Sequence, residues 1–219
     1  PKQLESKPLF RYDDIPRGYV DGAVWRLGKT GRPLAVVTTE LHPRYGMQGT
    51  NRSNPRVVYE LLSLTDVRFS SRSNDLAWSP AKSGLTFMAI ALAPSPADSK
   101  AKRLRQMKQL ARRFSAVQTV SEPGTENEQL VLRLLPQNID RYVPATDEVA
   151  SRSPRSDGAM FLFVAGRMPG IVLLLETDGE KWQFGVGRLS APSTLILSLD
   201  DKPVWTVPRD FGGSSEPYF

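Results

Sequence analysis

Residues 21–41, DGAVWRLGKTGRPLAVVTTEL, and residues 157–177, DGAMFLFVAGRMPGIVLLLET, align without a gap at an offset of 136. Asp21/Asp157, Gly22/Gly158, Ala23/Ala159, Pro33/Pro169, Val36/Val172 and Glu40/Glu176 are identical, Trp25 meets Phe161 and Leu27 meets Phe163. The echo extends outward in both directions. VVYELLSL (57–64) aligns with WQFGVGRL (182–189), Trp78 with Trp205, and Arg11-Tyr12 with Arg141-Tyr142. This pattern predicts one β unit written twice, spanning about residues 9–91 and 129–208.

Within the first unit, Ala23–Leu27 reads as a strand, Gly28-Lys29-Thr30-Gly31 as a turn and Pro33–Leu41 as the return strand. Val57–Leu64, Val67–Ser71, Leu76–Trp78 and Leu85–Ala91 are further expected strands. In the second unit Met160–Val164 and Ile171–Thr177 are almost unbroken apolar runs, as in strands covered on both faces. Asp178-Gly179 marks a hairpin turn. Trp182–Leu189, Thr194–Leu199 and Val204–Val207 follow, and GGSSEPYF at the end reads as loose chain.

Between the units, Ser95-Pro96-Ala97-Asp98 offers an N-cap followed by a proline and an acid, which predicts a helix over about 96–119. Leu104, Met107, Leu110, Ala111, Phe114 and Val117 form its apolar stripe. Lys102, Arg105, Lys108, Arg112 and Arg113 fall opposite. Gln129–Leu135 then returns as a strand. A hairpin cannot hide its own apolar face, whereas two meanders and an amphipathic helix can cover one another. The expected fold is therefore mainly β (α+β). Two antiparallel meanders related by a pseudo-twofold pack together with one central helix in a single domain, 1–219.

Composition bounds function. Forty per cent hydrophobic and 24% charged residues suit a globular chain. No apolar run approaches the roughly 20 residues of a transmembrane helix. The absence of cysteine excludes disulfides, thiolate ligands and a cysteine nucleophile. The net charge of +6 is local: residues 100–113 hold seven Lys/Arg and no acid, and without them 22 basic residues face 23 acidic ones. That helix face could meet phosphates, but no aromatic is interleaved to stack on bases, and an amphipathic helix needs a charged face in any case.

Catalytic signatures are weak. One histidine, His42, excludes a multi-histidine metal site. No G-x-S-x-G elbow occurs. Gly22…Gly28-Lys29-Thr30 has the wrong spacing for a phosphate loop and no following helix. Gly185-Val186-Gly187 lies inside an expected strand, and Asp210-Phe211-Gly212 lacks a kinase's other parts. Asp13-Asp14 and Asp200-Asp201 sit in expected turns. The long polar loop 42–55, with His42, Arg44, Tyr45 and Arg52, breaks the symmetry of the units and could carry function or be a tolerated insertion. Asn51-Arg52-Ser53 is a glycosylation triplet by pattern. The repeated Asp21/Asp157 and Glu40/Glu176 could form a carboxylate set for a cation or a glycosidic bond; turn and strand-end chemistry explains them equally.

RLRQMKQLARRFSA (103–116), LFRYDD (9–14), DGAVWRLGKTGRP (21–33), VLRLLPQNIDRY (131–142) and the 157–176 stretch together resemble a bacterial family known as a domain of unknown function. The resemblance spans nearly the whole chain. It implies a protein that follows an export signal, and it supplies no functional residues. The start at Pro1 instead of methionine fits a processed, exported or periplasmic product.

The expected function is a non-enzymatic binding or scaffolding protein of the cell envelope, taking a protein or glycan ligand. No catalytic, cofactor-binding or metal-binding residue is assigned, and no cofactor is expected. A carbohydrate-active hydrolase using the Asp/Glu set, and anion or nucleic-acid binding through the basic helix, are the alternatives.

Overall fold

The computed structural model describes residues 6–14, 19–42, 56–73, 76–120, 128–143, 157–210 and 216–219. Most of loop 42–55 and the Asn51 triplet lie outside these residues. Among them the chain is mainly antiparallel β with a single helix.

The first unit is a four-stranded meander: β1 (Phe10–Asp14), β2 (Tyr19–Leu27), β3 (Ala35–His42) and β4 (Arg56–Ser63), in that spatial order. β5 (Ser71–Ser73) and β6 (Leu76–Trp78) form a separate hairpin. The expected strand over 67–71 is therefore confined to its last residue. The second sheet has nine strands. β7 (Thr86–Ala89), β8 (Phe114–Val120), β9 (Glu128–Leu134), β10 (Asp140–Tyr142), β11 (Asp157–Ala165), β12 (Met168–Thr177), β13 (Trp182–Arg188), β14 (Ser193–Leu199) and β15 (Lys202–Val207) follow along the chain. Their spatial order is β15-β14-β8-β9-β11-β12-β13-β7, with β10 beside β11. Every residue of β11 is buried, and so is every residue of β12 after Met168, as their continuous apolar runs predict.

Registers agree between the two units. Tyr12 faces Gly22, Gly22 faces Glu40 and Leu41 faces Val57. In the other sheet Tyr142 faces Gly158, Gly158 faces Glu176 and Thr177 faces Trp182. The inward faces meet in one core that holds Tyr12, Val24 and Val36 together with Tyr142, Met160 and Val172. A second core lies on the far side of the large sheet. There Phe161, Phe163, Ile171 and Phe184 pack with Leu195 and Leu197 of β14 and with Met107 and Leu110 of the helix. Strands β8, β9 and β14 thus curl over to share a core with β11–β13.

The helix, α1, spans Lys100–Ala111 and is shorter at both ends than its apolar stripe predicts. Ser99, not Ser95, is the N-cap and accepts from the Lys102 amide. Residues 95–98 instead fold back along the helix: Gln106 bonds Ser95 O and the Ala97 amide, and Arg103 bonds the carbonyls of Ala97 and Asp98. Phe114 and Val117, three residues apart, keep the helical spacing but point to opposite faces of a strand. Here Phe114, Ala116 and Gln118 are buried in alternation, and β8 pairs with both β9 and β14. Two ladders of backbone bonds outweigh about two more turns of helix through the β-branched Val117 and Thr119.

The terminal GGSSEPYF is not loose over its described part, Glu216–Phe219. Leu61 and Phe219 exchange backbone bonds, Ser63 N–H donates to Pro217 O, and Trp78 Nε1 donates to Glu216 O at 2.9 Å. Two aromatic residues, Tyr218 in the inter-sheet core and Phe219 against Leu61, overcome the flexible Gly-Ser composition before them.

Gly22 and Gly158 let the two tyrosines lie flat on the neighbouring strand. A Cβ on Gly22 would stand 2.5 Å from the Tyr12 ring, and one on Gly158 closer still to Tyr142. Alanine at either position is expected to destabilise by about 1–3 kcal/mol through overpacking. Gly158→Ala should be the worse, because Tyr142 is fixed at both ends. Urea denaturation of the two variants checks the order.

Candidate functional site

Each unit builds a tyrosine–glutamate pair on its inward face. Tyr12 Oη donates to Glu40 at 2.9 Å and Tyr142 Oη to Glu176 at 2.6 Å. Their surroundings then diverge.

Glu176 is fully buried and closed. Arg32, from the turn between β2 and β3 of the other sheet, donates through Nε and Nη2 to both of its oxygens. Gln183 Nε2 reaches Oε2 at 3.3 Å. The Arg32 guanidinium lies over the Phe87 ring, 4.7 Å from its centroid. Burial, the Glu176 charge and the bond to it raise the Tyr142 pKa well above its ordinary value, so this hydroxyl stays a donor. With both oxygens held by a fork and two further donors, Glu176 is a structural anchor between the sheets.

Glu40 is more open, its side chain 14% exposed, with His42 Nε2 3.4 Å away and 28% exposed. Beside it on β4 stands Glu60. Its oxygens approach Thr38 Oγ1 and the Ala191 amide, at 3.4 and 3.2 Å. Burial pushes the Glu60 carboxyl up to about 7, the Ala191 N–H opposing and the Glu40 charge reinforcing the shift. Tyr218 completes this wall. Its pKa is raised by burial and then by Glu60, and the buried hydroxyl faces Glu60 without closing a hydrogen bond of normal geometry. Arg188 lies over the same ring, 5.1 Å from its centroid. Its own N–H groups are taken up by the carbonyls of Ser190, Ala191, Ser193 and Pro208.

Each of the repeated carboxylates has partners of its own. Asp21 pairs with Arg11 at the surface, and Asp157 pairs with Arg103 and Arg141. Glu60, whose counterpart in the second unit is Gly185, was not a candidate in the sequence because nothing repeats it. The basic helix face is partly engaged: Arg103 bonds Asp157, Arg113 bonds Asp200, and Lys108 bonds Gln137, leaving Lys102, Arg105 and Arg112 exposed. A broad hollow of about 480 Å³ opens between Lys7, Leu9, Arg26 and Ile139. Arg26 is already held there by Asp140, Gly28 O and Gly31 O. No group of three or more His/Asp/Glu among the described residues is placed to hold a metal ion.

The outer edge of β4 adjoins Glu60. Its end is paired with the C-terminal segment through Leu61 and Ser63. Val57, Val58 and Tyr59 before it are 40–50% exposed. Leu61 turns its N–H and C=O outward, so by the two-residue period Val57 and Tyr59 do the same. In the second unit the equivalent edge, on β13, is covered: β7 pairs along it from Gln183↔Ala89 to Val186↔Thr86.

No protein-family model, curated protein or solved structure gives a significant match to this chain.

Proposed function

We propose that this chain is a non-enzymatic binding or scaffolding protein of the cell envelope that takes an extended segment of a partner protein along the edge of β4. Among the described residues nothing pairs with the edge at Val57–Glu60, and this carries the reading. Unpaired edges with exposed apolar side chains recruit strands, and proteins that do not use them cover or charge them. Two internal precedents support it: residues 217–219 pair with the adjoining half of the same edge, and β7 covers the equivalent edge of β13. The shared registers support an origin of the two units by duplication, with one edge filled from within and the other left for a partner. The likeness of the chain to an exported family favours a site outside the cytoplasm.

Tyr59→Pro removes an outward N–H while sparing the bonds to β3, a substitution tolerated at sheet edges. Peptides selected against the native chain from a random extended library are expected to lose roughly tenfold or more in affinity for this variant, in keeping with the loss of a backbone bond and its neighbours. Undiminished binding to Tyr59→Pro would overturn the proposal.

A further inference from the structure

The two tyrosine–glutamate pairs differ in one component. Glu176 is completed by a guanidinium that grips both oxygens. Glu40, at the same position in the first unit, has no such partner among the described residues; its contacts are Tyr12 and His42. The reciprocal turn, between β11 and β12, does send an arginine across, but Arg167 goes to Asp13.

Where the second unit has Gly185, the first has Glu60, so two carboxylates line this position, diagonal across β3 and β4. Tyr218, 5% exposed and with its hydroxyl unpartnered, borders the same space and feels the charge of both acids. Two carboxylates beside a buried hydroxyl suit a planar cation with several N–H donors better than a point charge.

The covered edge shows where that cation would come from. On β13, Phe87 of β7 lies opposite Gly185 and carries the Arg32 guanidinium on its ring. A strand added to β4 in the same way places one side chain opposite Glu60, on the inward face. We infer that the Glu40–Glu60 site takes a guanidinium group, supplied by an arginine of the strand that pairs with β4. This deepens the strand-addition reading and rests on it for the source of the arginine, though not for the site itself.

The test uses blocked hexapeptides that copy residues 85–90, LTFMAI, with Arg, Lys or Phe at the third place, alongside N-acetyl-argininamide. Amide NMR shifts at Thr38, Thr39 and Tyr59 of the full chain are followed at neutral pH. The Arg peptide is expected to bind about tenfold or more tightly than the Phe peptide and several-fold more tightly than the Lys peptide. Glu40→Gln should bring it down to the level of the Phe peptide. Glu60→Gln, which keeps an oxygen for the Ala191 amide, should weaken it several-fold and serves if Glu40→Gln does not fold. Equal affinity of Arg and Phe peptides, with both lost in Tyr59→Pro, would overturn the guanidinium site and leave strand addition standing. Saturable N-acetyl-argininamide binding that vanishes in Glu40→Gln, with no peptide gaining over it, would uphold the site and sink the strand as its source. No shift with any probe would overturn the inference.

Discussion

Arg32→Ala is expected to cost about 3–5 kcal/mol of stability at neutral pH, the loss typical when one partner of a buried pair is removed. Glu176 has no solvent contact, and among the described residues Arg32 is the one cation that its oxygens touch. The truncation also strips the guanidinium from Phe87 and leaves Tyr142 donating to a carboxylate with no counter-charge. The double variant Arg32→Met, Glu176→Leu should recover most of the loss, because apolar side chains of similar volume often replace a buried pair without penalty. Arg113→Ala is the contrast. Its partner Asp200 is half exposed, and a loss far smaller than that of Arg32→Ala is expected. Urea denaturation of the four proteins separates the cases. A loss for Arg32→Ala no larger than that for Arg113→Ala would mean that this link between the sheets contributes little.

The pairing of Glu176 with Arg32 also marks where sequence reading stops. Asp-Gly, the apolar run and the closing glutamate are local signals, and they located β2, β3, β11 and β12 to within a few residues. The repeated Arg-Tyr predicted nothing by itself, yet it proves to be the strand that lays its tyrosine over glycine and onto glutamate in both sheets. Arg32 sits 144 residues from its partner in a turn whose polarity looks like ordinary turn chemistry. Only the packing of one sheet on the other brings the two together. The end of the helix failed for a different reason: Phe114 and Val117 keep the helical spacing of the stripe while Phe114, Ala116 and Gln118 keep that of a strand, and the choice belonged to the pairing with β9 and with β14, the latter far away in sequence. Which edge stays open was likewise illegible. VVYELLSL and WQFGVGRL read alike as strands, and the arrival of β7 at one and not the other depends on the path of the chain after Trp78.

Glu60 gives the protein an expected fall in stability as pH rises. Its folded pKa is near 7, above the ordinary 4.5, because burial disfavours the charged form. Between these values the folded chain holds a proton that the unfolded chain has released, so stability is highest below about 4.5 and declines until Glu60 is fully ionised above 7. The full span corresponds to on the order of 3 kcal/mol. The groups around Glu60 account for the direction. Burial comes first, and Glu40 opposes a second negative charge. The Thr38 hydroxyl and Ala191 amide offset only part of the burial, and Arg188 directs its N–H groups to carbonyls. Glu60→Gln should flatten the decline between pH 5 and 8 and leave the variant more stable than the native chain at pH 8. The comparison belongs in a His42→Asn background, since the single histidine touches Glu40. Parallel profiles for the two proteins over that range would mean that Glu60 is as well solvated in the fold as outside it. A guanidinium from the proposed partner strand would supply there the charge that Arg32 supplies to Glu176.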